Sequence, residues 1–372
     1  MPALSVKVSP GIAIIPQASS GAAREFRVTV LNNTKAAGDA TVRLELPSGW
    51  RAEPQQATLP FTLEEEELTA KFAVTPPAGL KEGEHTIKAV AARGGQEFRE
   101  GYQVIAYDHI QSRHLFHPAE SQVKAISVTV PETVSVGYIM GSGDDVPAAI
   151  EQLGARLTML TPDDVAFSDL SRFSTIVTGI RAYEKRPDLR AYNQRLLDFA
   201  RGGGHLVVQY NKTDANQLMV RAGEGFGGGR GGPAPTASPF FPYPGLVSRD
   251  RITVEETPVR VLVPDARELN TPNRITAKDF EGWVQERGLY FFDANDERYV
   301  DLLAATDPWP NNPGEKTGML TVAPLGQGTW TYVGVGLWRQ LPAGVPGAYR
   351  LMANLISKPR GAGAGTSAGI AR

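Results

Sequence analysis

The chain has 372 residues, 38 Lys/Arg against 40 Asp/Glu, and no cysteine. The net charge of −2 is spread evenly, with 11 basic and 13 acidic residues in positions 1–110, so no basic face for a nucleic acid is expected. The missing cysteines exclude disulfides, thiol catalysis and cysteine-ligated zinc, and no apolar run reaches the roughly 18–20 residues that cross a bilayer.

This length predicts two or three domains. The opening stretch MPALSVKVSPGIAIIPQ has no basic segment followed by a long apolar core, so no signal peptide is expected in it. The chain then reads either as a fragment whose export signal lies elsewhere or as a cytoplasmic protein. In residues 1–107, EFRVTVLNNT, ATVRLEL, LTAKFAVTPP, HTIKAVAA and FREGYQVIAY alternate apolar with polar residues between turn signals. That pattern predicts the antiparallel strands of a small β-sandwich. Trp50, after Pro47-Ser48-Gly49, is expected to plug the core. The acidic run Glu64 to Glu67 reads as a solvated edge in preference to a cation site.

Residues 108–131 read as a linker. Its three histidines, His109, His114 and His117, lack the carboxylates and fixed geometry of a zinc site, so packing is the preferred reading and no metal is expected. Pro118 and Pro131 bracket the strand-like AISVTV, which either adds a strand to one domain or runs as a stiff connector.

From 132 to 358 the pattern changes to alternating strands and helices, the order of a parallel sheet covered on both faces. VSVGYIM, LTML, STIVTGI and HLVVQYN are the strands, and VPAAIEQLG, TPDDVAFSDL and RPDLRAYNQRLLDFAR the helical segments. RVLV, GMLTVAPLG and GTWTYVGVGL supply later strands, and GAYRLMANLIS a closing helix. In such a sheet ligands collect beyond the carboxyl ends of the strands. Three loops fall there: Gly141, Ser142, Gly143, Asp144 and Asp145; Arg181 and Tyr183; and Gln209, Tyr210 and Asn211. These are the candidate ligand-binding residues. Asp144 and Asp145 are also good helix-capping residues, the preferred reading. Position 146 is Val, so no GxGxxG dinucleotide fingerprint is present. Arg181 and Tyr183 suit a carboxylate or sugar hydroxyl and equally suit stitching one loop to the next. No Ser-His-Asp set is apparent, because His205 begins a strand and Ser142 has no histidine to pair with. Neither a catalytic residue nor a cofactor is assigned.

The glycine- and proline-rich stretch 222–245 reads as a surface loop anchored by Phe240, Phe241 and Tyr243. NTPNRITAKDFEGWVQERGLYFF then predicts a helix capped by Thr276 with Asp279 in its first turn. Trp283 and Tyr290 read as packing. Trp338 and Arg339 follow a strand, and 359–372 reads as a disordered tail.

Two resemblances attach to these residues. Asn32, the Pro47-Ser48-Gly49-Trp50 turn and Pro76-Pro77 make residues 20–107 similar to the NEW-type, immunoglobulin-like module first named in α-galactosidases. That resemblance implies an accessory sandwich, not an active site. GYIMGSGDDVPAAIEQLG, TIVTGIRAYEKRPDLR, GGGHLVVQYN, PNRITAKDFEGWVQERGLYF and LWRQLPAGVPGAYRLMANL resemble the C-terminal part of bacterial PIG-L (LmbE-like) deacetylases. It implies a multidomain chain, the sandwich followed by an α/β flavodoxin-like, class I glutamine amidotransferase-like (ThuA-like) domain. In that fold the turn at Gln209-Tyr210-Asn211 would carry a nucleophilic cysteine. The zinc motif H-x-D-D has Ser142 where histidine belongs, and the spacing H-x-x-H occurs only at His114 and His117, so no metal ligand is carried over. The resemblance implies export and a glycan or a deacetylase domain as partner, and leaves the oligomeric state open. The leading reading is thus a non-catalytic accessory region. The alternatives are a hydrolase acting through Asp144, Asp145 or Glu184, and a purely structural or oligomerisation module.

Overall fold

Along Arg24–Asn32 the side chains of Phe26, Val28, Val30 and Asn32 are buried while their neighbours face outward, the period-two signature of a strand with one wet face. The same alternation runs through Glu67–Thr75, whereas Gly83–Arg93 buries Ala89, Val90 and Ala91 in succession. The structure, a computed structural model, describes residues 1–213 and 240–361. It divides into two units, Met1–Ser127 and the chain from Val128 onward.

In the first unit one sheet has the order Leu4–Ser9, Arg24–Asn32, Glu67–Thr75, Arg51–Glu53. The other runs Ile12–Pro16, Glu120–Ile126, Gly83–Arg93, Gly38–Glu45, Gln56–Phe61. Their inner faces share one core, including Phe26, Phe72, Val42, Ile87 and Trp50, so this unit is the expected β-sandwich. The stretch 108–131, read from sequence as a linker, instead carries two strands. Arg113–Pro118 makes a ribbon with Glu100–Ile105. Glu120–Ile126 pairs parallel to Ile12–Pro16 and antiparallel to Gly83–Arg93, because Ser121, Val123 and Ala125 point into the core. Its residues therefore extend the sandwich beyond 107. His114 packs edge-on against Tyr102, ring centroids 5.4 Å apart.

The second unit is built on a seven-stranded sheet in the order Arg156–Met159, Ser135–Ile139, Thr175–Thr178, His205–Gln209, Gly328–Val333, Leu320–Leu325, Val300–Asp301. The first five are mutually parallel and the last two antiparallel. Thr161 and Asp164 close a capping box at the start of helix Pro162–Phe167. That helix packs on Pro187–Arg201, and Val146–Gln152 packs on the closing helix Pro346–Ile356. Leu206 and Val208 of the central strand join a core with Leu189, Leu196, Leu197 and Phe199.

The predicted helix after Thr276 is shorter than expected. The Thr276/Asp279 box forms, but it caps only the 3-10 turn Ala277–Phe280. Gly282 and Gln285 then take positive φ, a conformation that ends a helix. Of the 222–245 stretch, residues 222–239 lie outside the described residues, as do 362–372 of the expected tail. Phe240 and Phe241 are buried, Phe241 against Phe292 and Trp330. Tyr243 packs partly buried on the same core.

Candidate functional site

The strands Ser135–Ile139, Thr175–Thr178 and His205–Gln209 are parallel neighbours, so the loops that follow them emerge at one edge of the sheet. A carboxylate, Asp144, ties the first two together. Its Oδ1 accepts from the Tyr138 hydroxyl at 2.6 Å and from the Val146 amide at 3.1 Å. Its Oδ2 accepts from the Ile180 amide at 3.1 Å. Gln209 Nε2 donates to the Tyr138 hydroxyl at 2.9 Å, which brings in the third strand. Burial raises the Asp144 carboxyl above its ordinary value, against the pull of these donors. Burial, then the Asp144 charge, hold the Tyr138 phenol well above its own. The close approach needs glycine at 141, where a Cβ would stand 2.0 Å from the Ile180 carbonyl oxygen.

A second knot joins the loops after Thr178 and Gln209. Arg181 takes φ 57, and its amide donates to the Tyr210 carbonyl at 2.8 Å. Its guanidinium donates twice to Glu184 Oε2, at 2.9 and 2.7 Å, and Glu184 Oε1 accepts from the Lys212 amide at 2.6 Å. Asn211 Oδ1 accepts from the Tyr183 amide at 3.2 Å, and the Asn211 amide donates to the Tyr332 hydroxyl at 3.1 Å. Tyr183 is buried, donating its hydroxyl to Asn193 at 2.9 Å.

Tyr210 sits between these knots and a set of aromatic rings. Its ring lies 4.3 Å from that of Trp338 and is stacked at 6.0 Å on that of Tyr290. Two ion pairs flank the rings, Arg181 with Glu184 and Arg339 with Glu286, each at 2.7 Å, and all four charges act on the Tyr210 hydroxyl. Tyr210 itself is buried, so the half-buried Tyr290 and Trp338, bordered by charged donors and acceptors, are the rings that can offer stacking and directional hydrogen bonds to one ligand.

The sequence-predicted residues divide accordingly. Asp144, Arg181, Tyr183, Gln209, Tyr210 and Asn211 are brought together through hydrogen bonds and ring contacts. Gly141 makes the approach possible. Ser142, Gly143 and Asp145 are exposed on the turn; Asp145 holds the expected N-cap position without a side-chain bond, and it is Asp144 that accepts from the Val146 amide at the helix start. Sequence reasoning missed Tyr138 and Tyr332 and assigned no ligand role to Trp338 or Glu286. The available signal for Tyr138 was a phenol inside an otherwise apolar strand. His205 lies at the far end of its strand, roughly 13 Å from Gln209 at about 3.3 Å per residue. It is buried, beside Thr329, and burial followed by the charges of Lys358 and Arg267 holds it well below its ordinary value. His205 therefore does not reach Asp144.

With this geometry in place, comparison with known proteins is informative for the first unit. Residues 18–93 match the family described as NPCBM-associated, NEW3 domain of alpha-galactosidase. Within that match Asn32 is fully buried, donating to the Leu63 carbonyl at 2.8 Å and accepting from Arg93 at 3.0 Å. Trp50 packs 5.4 Å from His85. The NEW3-matching residues singled out from the sequence are thus scaffold. No curated protein matches the chain. Among solved structures, the beta-galactosidase from Rahnella sp. R3 is similar at 16% identity and TM-score 0.35, over 63% of this chain and 32% of that one. The E. coli chaperone DraB is similar at 12% identity and TM-score 0.20, over 34% and 57% respectively. A FixG-related protein from Vibrio parahaemolyticus is similar at 14% identity and TM-score 0.20, over 33% and 94%. The chain spans about a third of the beta-galactosidase it resembles.

Proposed function

We propose that the chain is an accessory region of a carbohydrate-active protein that holds a glycan at the strand-edge crevice and does not turn it over. In this reading the second unit is a flavodoxin-like, class I glutamine amidotransferase-like (ThuA-like) domain, and the two units are the C-terminal part of a PIG-L-type deacetylase-like protein. The NEW3 match supports the carbohydrate connection. The resemblance of residues 105–358 and the run of five parallel strands support the finer reading.

The observation that carries the proposal is the fate of the turn Gln209-Tyr210-Asn211. Where a nucleophile would stand in the fold, two of these three side chains bond to the scaffold and the third packs on Tyr290 and Trp338. A hydrolase working through Asp144 is the second reading, favoured by its raised carboxyl. Against it, both oxygens of Asp144 already accept bonds from Tyr138, Val146 and Ile180.

An array of immobilised oligosaccharides probed with the wild type and with Arg181→Ala tests the binding reading. The wild type is expected to retain a defined subset of glycans and the variant to lose them by about tenfold or more, since a charged hydrogen-bonding group is removed. No retention by the wild type refutes it.

A further inference from the structure

The second unit contains another cavity, of about 390 Å³, that shares no residue with the crevice described above. Phe280 and Trp283 line it, 4% and 5% exposed, with ring centroids 5.6 Å apart. Arg287, 4% exposed, also lines it. Arg287 Nε donates to the Thr257 carbonyl at 2.8 Å and Nη1 donates to the Phe280 carbonyl. Its Cζ lies 5.5 Å from the centroid of the Trp283 ring. Nη2 has no partner among the described residues, and no described carboxylate pairs with the guanidinium. Burial pulls Arg287 down to about 10, against the opposing fields of Glu256 and Glu255. A desolvated cation without a paired anion is costly, and a carboxylate arriving from outside would relieve that cost with a charge-assisted bond.

The other charges of the cavity narrow the ligand. Glu255, Glu256 and Glu281 line it too, Glu256 and Glu281 being exposed. A simple anion would be repelled on its way to Arg287, and a simple cation would meet the guanidinium within. A molecule with a carboxylate at one end and an ammonium at the other satisfies both. The volume, small for a ligand site, and the two aromatic walls suit an apolar side chain between the charges.

We infer that this cavity binds a free α-amino acid, its carboxylate on Arg287, its ammonium toward Glu255, Glu256 and Glu281, and its side chain against Phe280 and Trp283. This site is independent of glycan binding at the strand edge.

The test uses the full chain. The twenty standard amino acids are screened singly by thermal shift. The strongest stabiliser is then titrated calorimetrically beside its deaminated acid and its decarboxylated amine. The expected result is saturable binding of at least one apolar or aromatic amino acid, with both analogues about tenfold or more weaker. Arg287→Gln should abolish binding. Because that variant also strips donors from the Thr257 and Phe280 carbonyls and can fail to fold, the surface variant E255Q/E256Q is measured as well and should bind about tenfold more weakly or worse. Absence of any shift across the panel, equal binding of the deaminated acid, or unchanged affinity in E255Q/E256Q overturns the inference.

Discussion

At Asp144 two physical effects oppose each other. Removal from water favours the protonated acid, while the Tyr138 hydroxyl and two backbone amides favour the carboxylate. Burial is the larger, so the folded-state value lies above the unfolded one. The native state then binds the proton more tightly than the unfolded chain. Its contribution is fully present below the ordinary carboxylate range and is lost as the pH rises through the raised folded value. Asp144→Asn cannot ionise and lacks this loss. Urea midpoints of the wild type should therefore fall relative to those of the variant as the pH rises from about 3.5, on top of a pH-independent cost of about 1–3 kcal/mol for a backbone donor left facing the new amide. Parallel pH curves would show that Asp144 is not held as described. A catalytic acid reading makes a different demand: turnover by the wild type that the variant loses.

Among the structural elements, the segment Trp283–Tyr290 supplies Trp283 and Arg287 to the cavity and Tyr290 to the rings around Tyr210, and Gln340 is one of the side chains that hold it. Gln340, fully buried, accepts from the Val284 amide at 2.7 Å and donates to the Val284 and Glu286 carbonyls at 2.8 and 3.3 Å. Gln340→Leu keeps the bulk and removes every one of these bonds. It should cost on the order of 1–3 kcal/mol in urea unfolding and weaken glycan binding, since the Glu286 carbonyl loses its donor. Unchanged stability would mean the segment is held from elsewhere. Elements of this kind were the hardest to read from sequence. Strands such as Arg24–Asn32 and Glu67–Thr75 announce themselves by alternation, and Thr175–Thr178 and His205–Gln209 by short apolar runs between helical segments. Gln340 carries no periodic signal, and the box at Thr276 and Asp279 is the same whether it opens a helix or a single turn. Leu4–Ser9 and Ile12–Pro16 went unread because their partners lie elsewhere in the chain, the second pairing in parallel with Glu120–Ile126. The strand ends foretold Asp144, Arg181 and Tyr210 as neighbours. That Tyr138, three residues before the glycine turn, bridges Asp144 and Gln209 depends on strand order, which no local pattern encodes.

Across the whole molecule, the two units rest on separate apolar cores that have no residue in common. A loss confined to one should therefore leave the other standing. Asn32→Ala removes the bonds to Leu63, Thr34 and Arg93 and is expected to destabilise the sandwich by about 1–3 kcal/mol. A calorimetric scan should show two transitions with only one moved, whereas a single shifted transition would mean that the cores unfold together. Whether the strand-edge crevice holds a sugar without transforming it is decided by isothermal titration of wild type and Tyr210→Ala with the oligosaccharides retained on the array. Saturable heat is expected from the wild type, with about tenfold or more weaker binding once the buried ring that backs Tyr290 and Trp338 is lost and no thermal power persisting after each injection; sustained power from the wild type, or identical isotherms for the two proteins, would overturn that reading.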